Sequence, residues 1–522
     1  MKIPIVKTVV IAVVFCAFMS PAGAQDIQVT GSEKEILGST ISRVQIIGHD
    51  RDYYYVIKHE SSQNFIEKLD QELNKIHEEP LKLFKGLKTY DLEALVHFHN
   101  ELYLFVTLRR FSETVLYYQK LDKNTLLPLT ELIELTTVDF IKGNWADFHV
   151  VLSKHETKLL IASRIKLPLS GAQFNEYSIF DEGLSLLWKR KDTFKFHGQG
   201  PRDNKYIVDE AGNVSILSLL KRESIFSLLQ DVKNMYAIYR YTDDGNTFRE
   251  YPLTLPDLYI RGIKIIGSDA GELLCAGLYS EVLKAGVRGT FFFKIDDQTG
   301  LISGIKLDQF DDAVMADLAR SKDPMVNNDE LMDYVISDMV FRNNGKIMII
   351  AEQVFNQNYN NYNHLIVTCY DGGGQVYWTR LIRKKQSFNY TTAESGSFEL
   401  SDYRSFIRET GYMNPFVSNY CSYALMAPLE KSGIVLFFND DNRNIDSQAP
   451  PKAFSNPKKS YLKAVAVDEF GNIAEKAVLK WKKKALFPEP IRYYDTLSDT
   501  IVIPALRNRN INYYRISADF IR

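Results

Sequence analysis

Short apolar runs, rich in β-branched and aromatic side chains, recur along the chain and are cut by Asp, Gly and Asn. One run closes on an acidic residue and a turn, and it returns eight times, at Asp70, Asp122, Asp181, Asp243, Asp296, Asp371, Asp468 and Asp519, at intervals of 51 to 97 residues. Upstream of each lies a second run (YYYVIKHE, ELYLFVTLRR, TKLLIASR and their equivalents), and before most a looser third. After most of the acidic turns comes a fourth, as in LLPLTELIEL, LISGIKL and VYWTRLI. Four short strands per unit predict an antiparallel meander, and repetition of such units predicts an all-β fold, a β-propeller of four-stranded antiparallel blades. Eight blades are preferred, with seven as the alternative. Residues 65–76 also carry apolar positions at helical spacing, but their alignment with YYQKLDKNTLL favours a strand. The eighth unit ends after its third strand, and residues 27–30, alternating apolar and polar, are the spare strand expected to pair with 513–517 and close the ring.

The chain opens with Lys2 and Lys7, an apolar run from Val9 to Met19, and small residues up to Ala24. This is the pattern of a secretory signal peptide cleaved after Ala24. Residues 1–24 are therefore read as the signal and 25–522 as a single propeller domain with long loops on one face. The expected address is periplasmic, cell-surface or extracellular. No later stretch is long and apolar enough for a transmembrane helix. Cys275, Cys369 and Cys421 remain beyond the signal, an odd number set in apolar strand-like runs and read as buried thiols. With 63 Lys+Arg against 65 Asp+Glu there is no basic excess for nucleic acid, so none is expected. The domain is read as a monomer.

Loop lengths divide unevenly. In a propeller the turns between strands 1–2 and 3–4 share one face, and here they are short. The other face receives the insertions at 166–176, 278–289, 355–364 and 439–459, and those between blades at 312–333 and 387–416. Long loops on a rigid scaffold are disproportionately functional, which nominates this face in the sector of blades 5 to 7. Tyr359 and Tyr362 stand among amides, a composition suited to a glycan or peptide. Early residues of the inner strands, Asp147, His149, Arg202, Arg261, Asp338, Tyr420 and Arg492, are expected around the central funnel. Asp440, Asn442, Asn444 and Asp446 alternate like calcium-loop donors, although Ile445 replaces the glycine and Pro451 the closing glutamate of an EF-hand. His97 and His99 form an H-x-H expected on one side of a strand.

Asp181 with Trp188, and Asp371 with Gly374 and Trp378, resemble the Asp–Gly–Trp docking repeat of eight-bladed quinoprotein-like propellers. That group includes quinone-dependent dehydrogenases and outer-membrane assembly scaffolds. The resemblance implies the scaffold type, because no cofactor-binding residues match, and it points to no specific family. No cofactor is predicted beyond the possible calcium loop. The expected function is binding of a protein or glycan partner through the loop-rich face without catalysis. The alternative is an extracytoplasmic hydrolase or lyase with its site over the funnel.

Overall fold

The computed structural model describes residues 26–519, apart from 37–40, 61–62, 86–87, 140–145, 168–171, 196–203, 222–233, 269–270, 283–285, 297–298, 313, 317–325, 328–329, 357–359, 389–420, 429–430, 448, 481–486, 489–492, 496–497 and 508–509. Eight antiparallel sheets form a ring, one for each unit of the sequence. Blades 1 to 7 span 41–80, 91–139, 147–195, 204–253, 259–309, 334–382 and 424–480, each running from its inner to its outer strand. Blade 8 takes its inner strands from 487–495, then Thr500–Arg507 and Asn510–Asp519, and its outer strand is Asp26–Gly31. Eight apolar clusters fill the seams, each built from the facing sides of two neighbouring blades.

The recurrent aspartate is a turn-former. Asp181 Oδ1 accepts from the N–H groups of Gly183 (2.9 Å) and Ser185 (2.8 Å), and Asp371 and Asp468 do the same two and four residues on. Satisfying these N–H groups lets the chain reverse within a few residues. In three of the turns a leucine takes the left-handed position, Leu73, Leu126 and Leu184 (φ 67°, 58° and 59°), and each is buried at a seam. Burial of an apolar side chain offsets a conformation that L-residues otherwise avoid. Gly471 takes that position in blade 7 at φ 80°, where an added Cβ would come within 2.8 Å of the Trp378 ring. Trp378 donates its indole N–H to Glu469 O (3.0 Å) and Trp188 to Gly212 O (3.1 Å), so both tryptophans dock one blade onto the next.

Several expectations shift in detail. Residues 65–76 form strands and a turn, without helix. The outer strands of blades 2 and 5 begin at Ile133 and Lys306, later than the sequence runs, because 126–132 and 301–305 return as looped turns through bridges at Pro128 and Ile302. The stretch 355–364 is no free loop. The strands Ile347–Asn356 and Asn360–Tyr370 carry their pairing outward to Asn356 and Asn360 around a bulge between Glu352 and Val354. Cys275, Cys369 and Cys421 are buried, and burial pushes the Cys369 thiol up to about 12.

Ring closure is antiparallel. Ile27 pairs with Ala518, Val29 with Ile516 and Gly31 with Tyr514, and Glu35–Ile36 continues the pairing to Ile511 and Asn510. Without Asp26–Gly31 the strand Asn510–Asp519 would lose its outer partner, and Ile27 and Val29 would leave the apolar cluster between blades 7 and 8. Deletion of residues 26–31 is expected to lower the thermal midpoint by several degrees and to broaden the transition, read by circular dichroism. A truncated chain that melts like the full one would show that closure does not depend on this strand.

Candidate functional site: the anchored loop face of blades 5 to 7

The funnel residues do not gather into one site among the described residues. Asp147 is exposed and lies 3.4 Å from Arg164 Nη2, on the neighbouring strand of its own blade. His149 packs its half-buried ring 5.0 Å from that of Tyr206. Arg261 donates to Ser280 Oγ (3.4 Å) and to Val282 O, and burial lowers its pKa. Asp338 lies midway along its strand, opposite Ile350, and accepts from the Tyr423 hydroxyl at 2.7 Å. Tyr359, Arg202, Tyr420 and Arg492 fall outside the described residues. Glu93, which the sequence reading overlooked, has a raised pKa: burial is the main cause, the Thr107 hydroxyl donating at 2.7 Å opposes it, and the charges of Asp91 and Asp147 add to it.

The H-x-H pair separates. The strand Asp91–Phe98 ends before His99, whose φ of 46° turns it away. His97 is buried with its ring stacked on Tyr55 (5.6 Å), and burial holds its pKa down to about 4, so it is neutral. His99 is exposed, 3.4 Å from Glu182. The two therefore share no metal-binding side of a strand.

Between blades 6 and 7 the fold buries a dense polar network. Lys384, wholly buried, donates to Glu352 Oε1 (2.8 Å), Tyr362 O (2.8 Å) and Gln386 Oε1 (3.0 Å). Ser422 Oγ donates to Glu352 Oε2 (2.8 Å), its N–H donates to Gln386 Oε1 (2.6 Å), and Gln386 Nε2 donates to Asn439 O (2.8 Å). Lys385 and Ser387 exchange backbone hydrogen bonds with Phe454 at 2.9 Å. Insertions 387–416 and 439–459 thus spring from one knot. Tyr362 belongs to it: its ring is 3% exposed and packs with Cys421 and Phe454, leaving no free face for stacking.

The proposed calcium donors are part of the same rim. Asp440 is buried, and its carboxylate accepts from Asn444 Nδ2 (2.6 Å), Asp441 N (2.8 Å) and the Tyr461 hydroxyl (3.1 Å). Burial raises its pKa. Asn442 and Asp446 are exposed. Asn444 also pairs with the Lys452 backbone through both ends of its amide (2.8 Å each), so the loop is braced by its own hydrogen bonds.

The third insertion, 312–333, is rooted in the same manner. Leu331 and Val287 exchange backbone hydrogen bonds (2.8 and 3.0 Å), and buried Glu330 accepts from Ser280 Oγ (2.7 Å) and Glu281 N (2.7 Å). Elsewhere, Glu35, Glu67 and Glu78 bring carboxylate oxygens within 4.8 Å of one another. The Lys58 ammonium contacts all three, so an internal cation already holds the place a metal would take.

No family model matches the chain, and no curated protein matches it. Among solved structures it is similar to a mutant Synechocystis apocarotenoid oxygenase, at 8% identity and TM-score 0.31 over 94% of this chain and 93% of that one. It is similar to an oligogalacturonate lyase in complex with manganese, at 11% identity and TM-score 0.36 over 79% and 94%. An α-L-arabinofuranosidase from Fusarium graminearum gives 9% identity and TM-score 0.34 over 68% and 97%. At such identities and scores the likeness is one of fold alone.

What the chain's own residues provide is a rigid base for long connections. A buried ion pair such as Lys384–Glu352 costs desolvation, and removal of one partner leaves the other charge uncompensated, at about 3–5 kcal/mol. Lys384→Met is expected to destabilise by that order in denaturant titrations, and Lys384→Met with Glu352→Leu to recover much of the loss. A single variant as stable as the parent would mean that the network anchors nothing.

Proposed function

We propose that this chain is an exported propeller that binds a protein or glycan partner through the loop-bearing face of blades 5 to 7, without catalysis. The observation that carries the reading is the common rooting of insertions 387–416 and 439–459 in one buried network. Loops held at a fixed base lose less conformational entropy when they engage a partner. Export rests on the signal-like start of the sequence, with first strand residue Asp26 two positions beyond the expected cleavage at Ala24. The experiment is replacement of residues 389–416 by a Gly/Ser linker that leaves Gln386, Ser387 and Ser422 in place. Binding is then measured against a panel of cell-envelope proteins and polysaccharides. Loss of at least tenfold in affinity with an unchanged melting temperature is expected, and undiminished binding would remove this face from consideration.

A second reading has one observation in its favour. Glu93, a mostly buried carboxyl on the first strand of its blade whose pKa burial and the Asp91 and Asp147 charges raise, is disposed to hold a proton, as general acid catalysis requires. If the propeller is a hydrolase or lyase, turnover of a polysaccharide panel should fall by about a hundredfold in Glu93→Gln. No turnover by the parent chain, or none lost in the variant, would end that reading.

A further inference from the structure

The seam between blades 8 and 1 differs from the other seven. The strand that leads across it, Asp26–Gly31, is joined to the rest of blade 8 by strand pairing alone, because it comes from the opposite end of the chain. Among the described residues its apolar cluster is the smallest of the eight, with nine buried side chains against ten to fifteen elsewhere. Charged groups occupy much of what remains.

The larger charged group links three parts of the chain. Lys58 and Glu67 come from the two middle strands of blade 1, Lys75 and Glu78 from its outer strand, Glu35 from the N-terminal segment and Tyr513 from blade 8. Lys58 and Glu67 are wholly buried, and Lys58 Nζ lies 3.4 Å from both Glu35 and Glu67 and in contact with Glu78. Lys75 pairs with Glu35 and lies 3.8 Å from Glu78, and the Tyr513 hydroxyl donates to Glu67 Oε2 at 3.0 Å. Two nearby hydrogen bonds hold the same segment: Glu33 N–H to Asn74 Oδ1 (2.9 Å) and Tyr513 N–H to Ser32 Oγ (2.8 Å). At another point of the seam His49 Nε2 lies 2.9 Å from Asp495 Oδ1, and its Nδ1 meets the Tyr493 hydroxyl at 2.6 Å.

Three carboxylates face two ammonium groups. Fully ionised, the cluster would bury a net negative charge, whereas one added proton makes it neutral. We propose that the blade 8–blade 1 seam is a proton-operated closure, in which one proton shared between Glu67 and Glu35 keeps the buried cluster neutral and loss of that proton loosens the N-terminal strand from the ring. The electrostatics agree with the geometry. Burial, with Lys58 opposing and Glu35 and Glu78 adding, pushes the Glu67 carboxyl up to about 8, while for Glu35 the pull of Lys75 and Lys58 overcomes its burial and lowers it. In the closed ring Glu67 is protonated across the range where a hydrated carboxyl, near 4.3, is ionised. Closure therefore binds a proton, is fully favoured below about 4.3, and weakens as pH rises through about 8.

The test is hydrogen exchange read by mass spectrometry on peptides spanning 26–36 and 510–519, corrected for intrinsic exchange rates, with strands of blade 3 as the reference. Opening of the seam should rise by up to about tenfold per pH unit between roughly pH 5 and 8 and level off above, while blade 3 stays constant. Glu67→Gln keeps the hydrogen-bonding shape without the titration, and its seam peptides should lose that slope. Lys75→Met, which removes an ammonium group at the cluster's partly exposed edge, should open the seam several-fold more at pH 7. The proposal is overturned by any of three results: seam protection independent of pH, a Glu67→Gln slope equal to that of the parent, or exchange in blade 3 rising in parallel with the seam.

Discussion

The ring is closed by antiparallel pairing between the N-terminal strand Asp26–Gly31 and the last described strand, Asn510–Asp519. A ring of sheets that pack face to face is weakened when it opens, because an open ring exposes two apolar blade faces at once. Here the last blade is completed by Asp26–Gly31 laid antiparallel on Asn510–Asp519. The first described strand thus belongs to the last blade, and the connection onward to Ile41 leads directly into the inner strand of blade 1. The closing contact spans almost the whole length of the sequence, so it forms at the greatest loop-closure cost of any contact in the fold.

The two faces of the ring follow different physical rules. On the short-loop face the turns are set locally: an aspartate bonds N–H groups two to four residues ahead, and a residue at positive φ reverses the chain. On the opposite face the connections are long and are held by distant partners. Lys384 reaches Glu352, Ser422 reaches Glu352, and Gln386 reaches Asn439, all through side chains buried between blades. Local turns make a uniform base, whereas long-range buried anchors permit large, individual loops without loosening the sheets beneath them.

That division explains which features were legible. The blade plan could be read because its signal is periodic and local, and the Asp-closed runs mark the hairpin turns of most blades. The spare strand at 27–30 was legible by counting strands, since the eighth unit lacked one. The 355–364 segment misled because Asn is common in loops, yet here the pleat continues through it and places Tyr362 inside. The H-x-H misled for the opposite reason: strand spacing was assumed to continue past Phe98, where the chain turns. The polar networks left no sequence signature. Glu67 and Tyr513 are 446 residues apart, and nothing around either identifies the other.

Closure and the loop face meet in blade 7. On one side of that sheet, Phe437, Leu462 and Ala464 pack in the cluster that receives Ile27 and Val29 from the N-terminal strand. On the other side, Phe438 lies under the Lys384 ammonium at 6.0 Å and packs with Val465 and Trp378 from the cluster shared with blade 6. Adjacent residues of one strand, Phe437 and Phe438, therefore belong to the cluster that receives the closing strand and to the ring contact beneath Lys384, which roots the long insertions. A packed sheet passes a displacement of one face to the other, because its side chains sit at close-packed density with little room to absorb it.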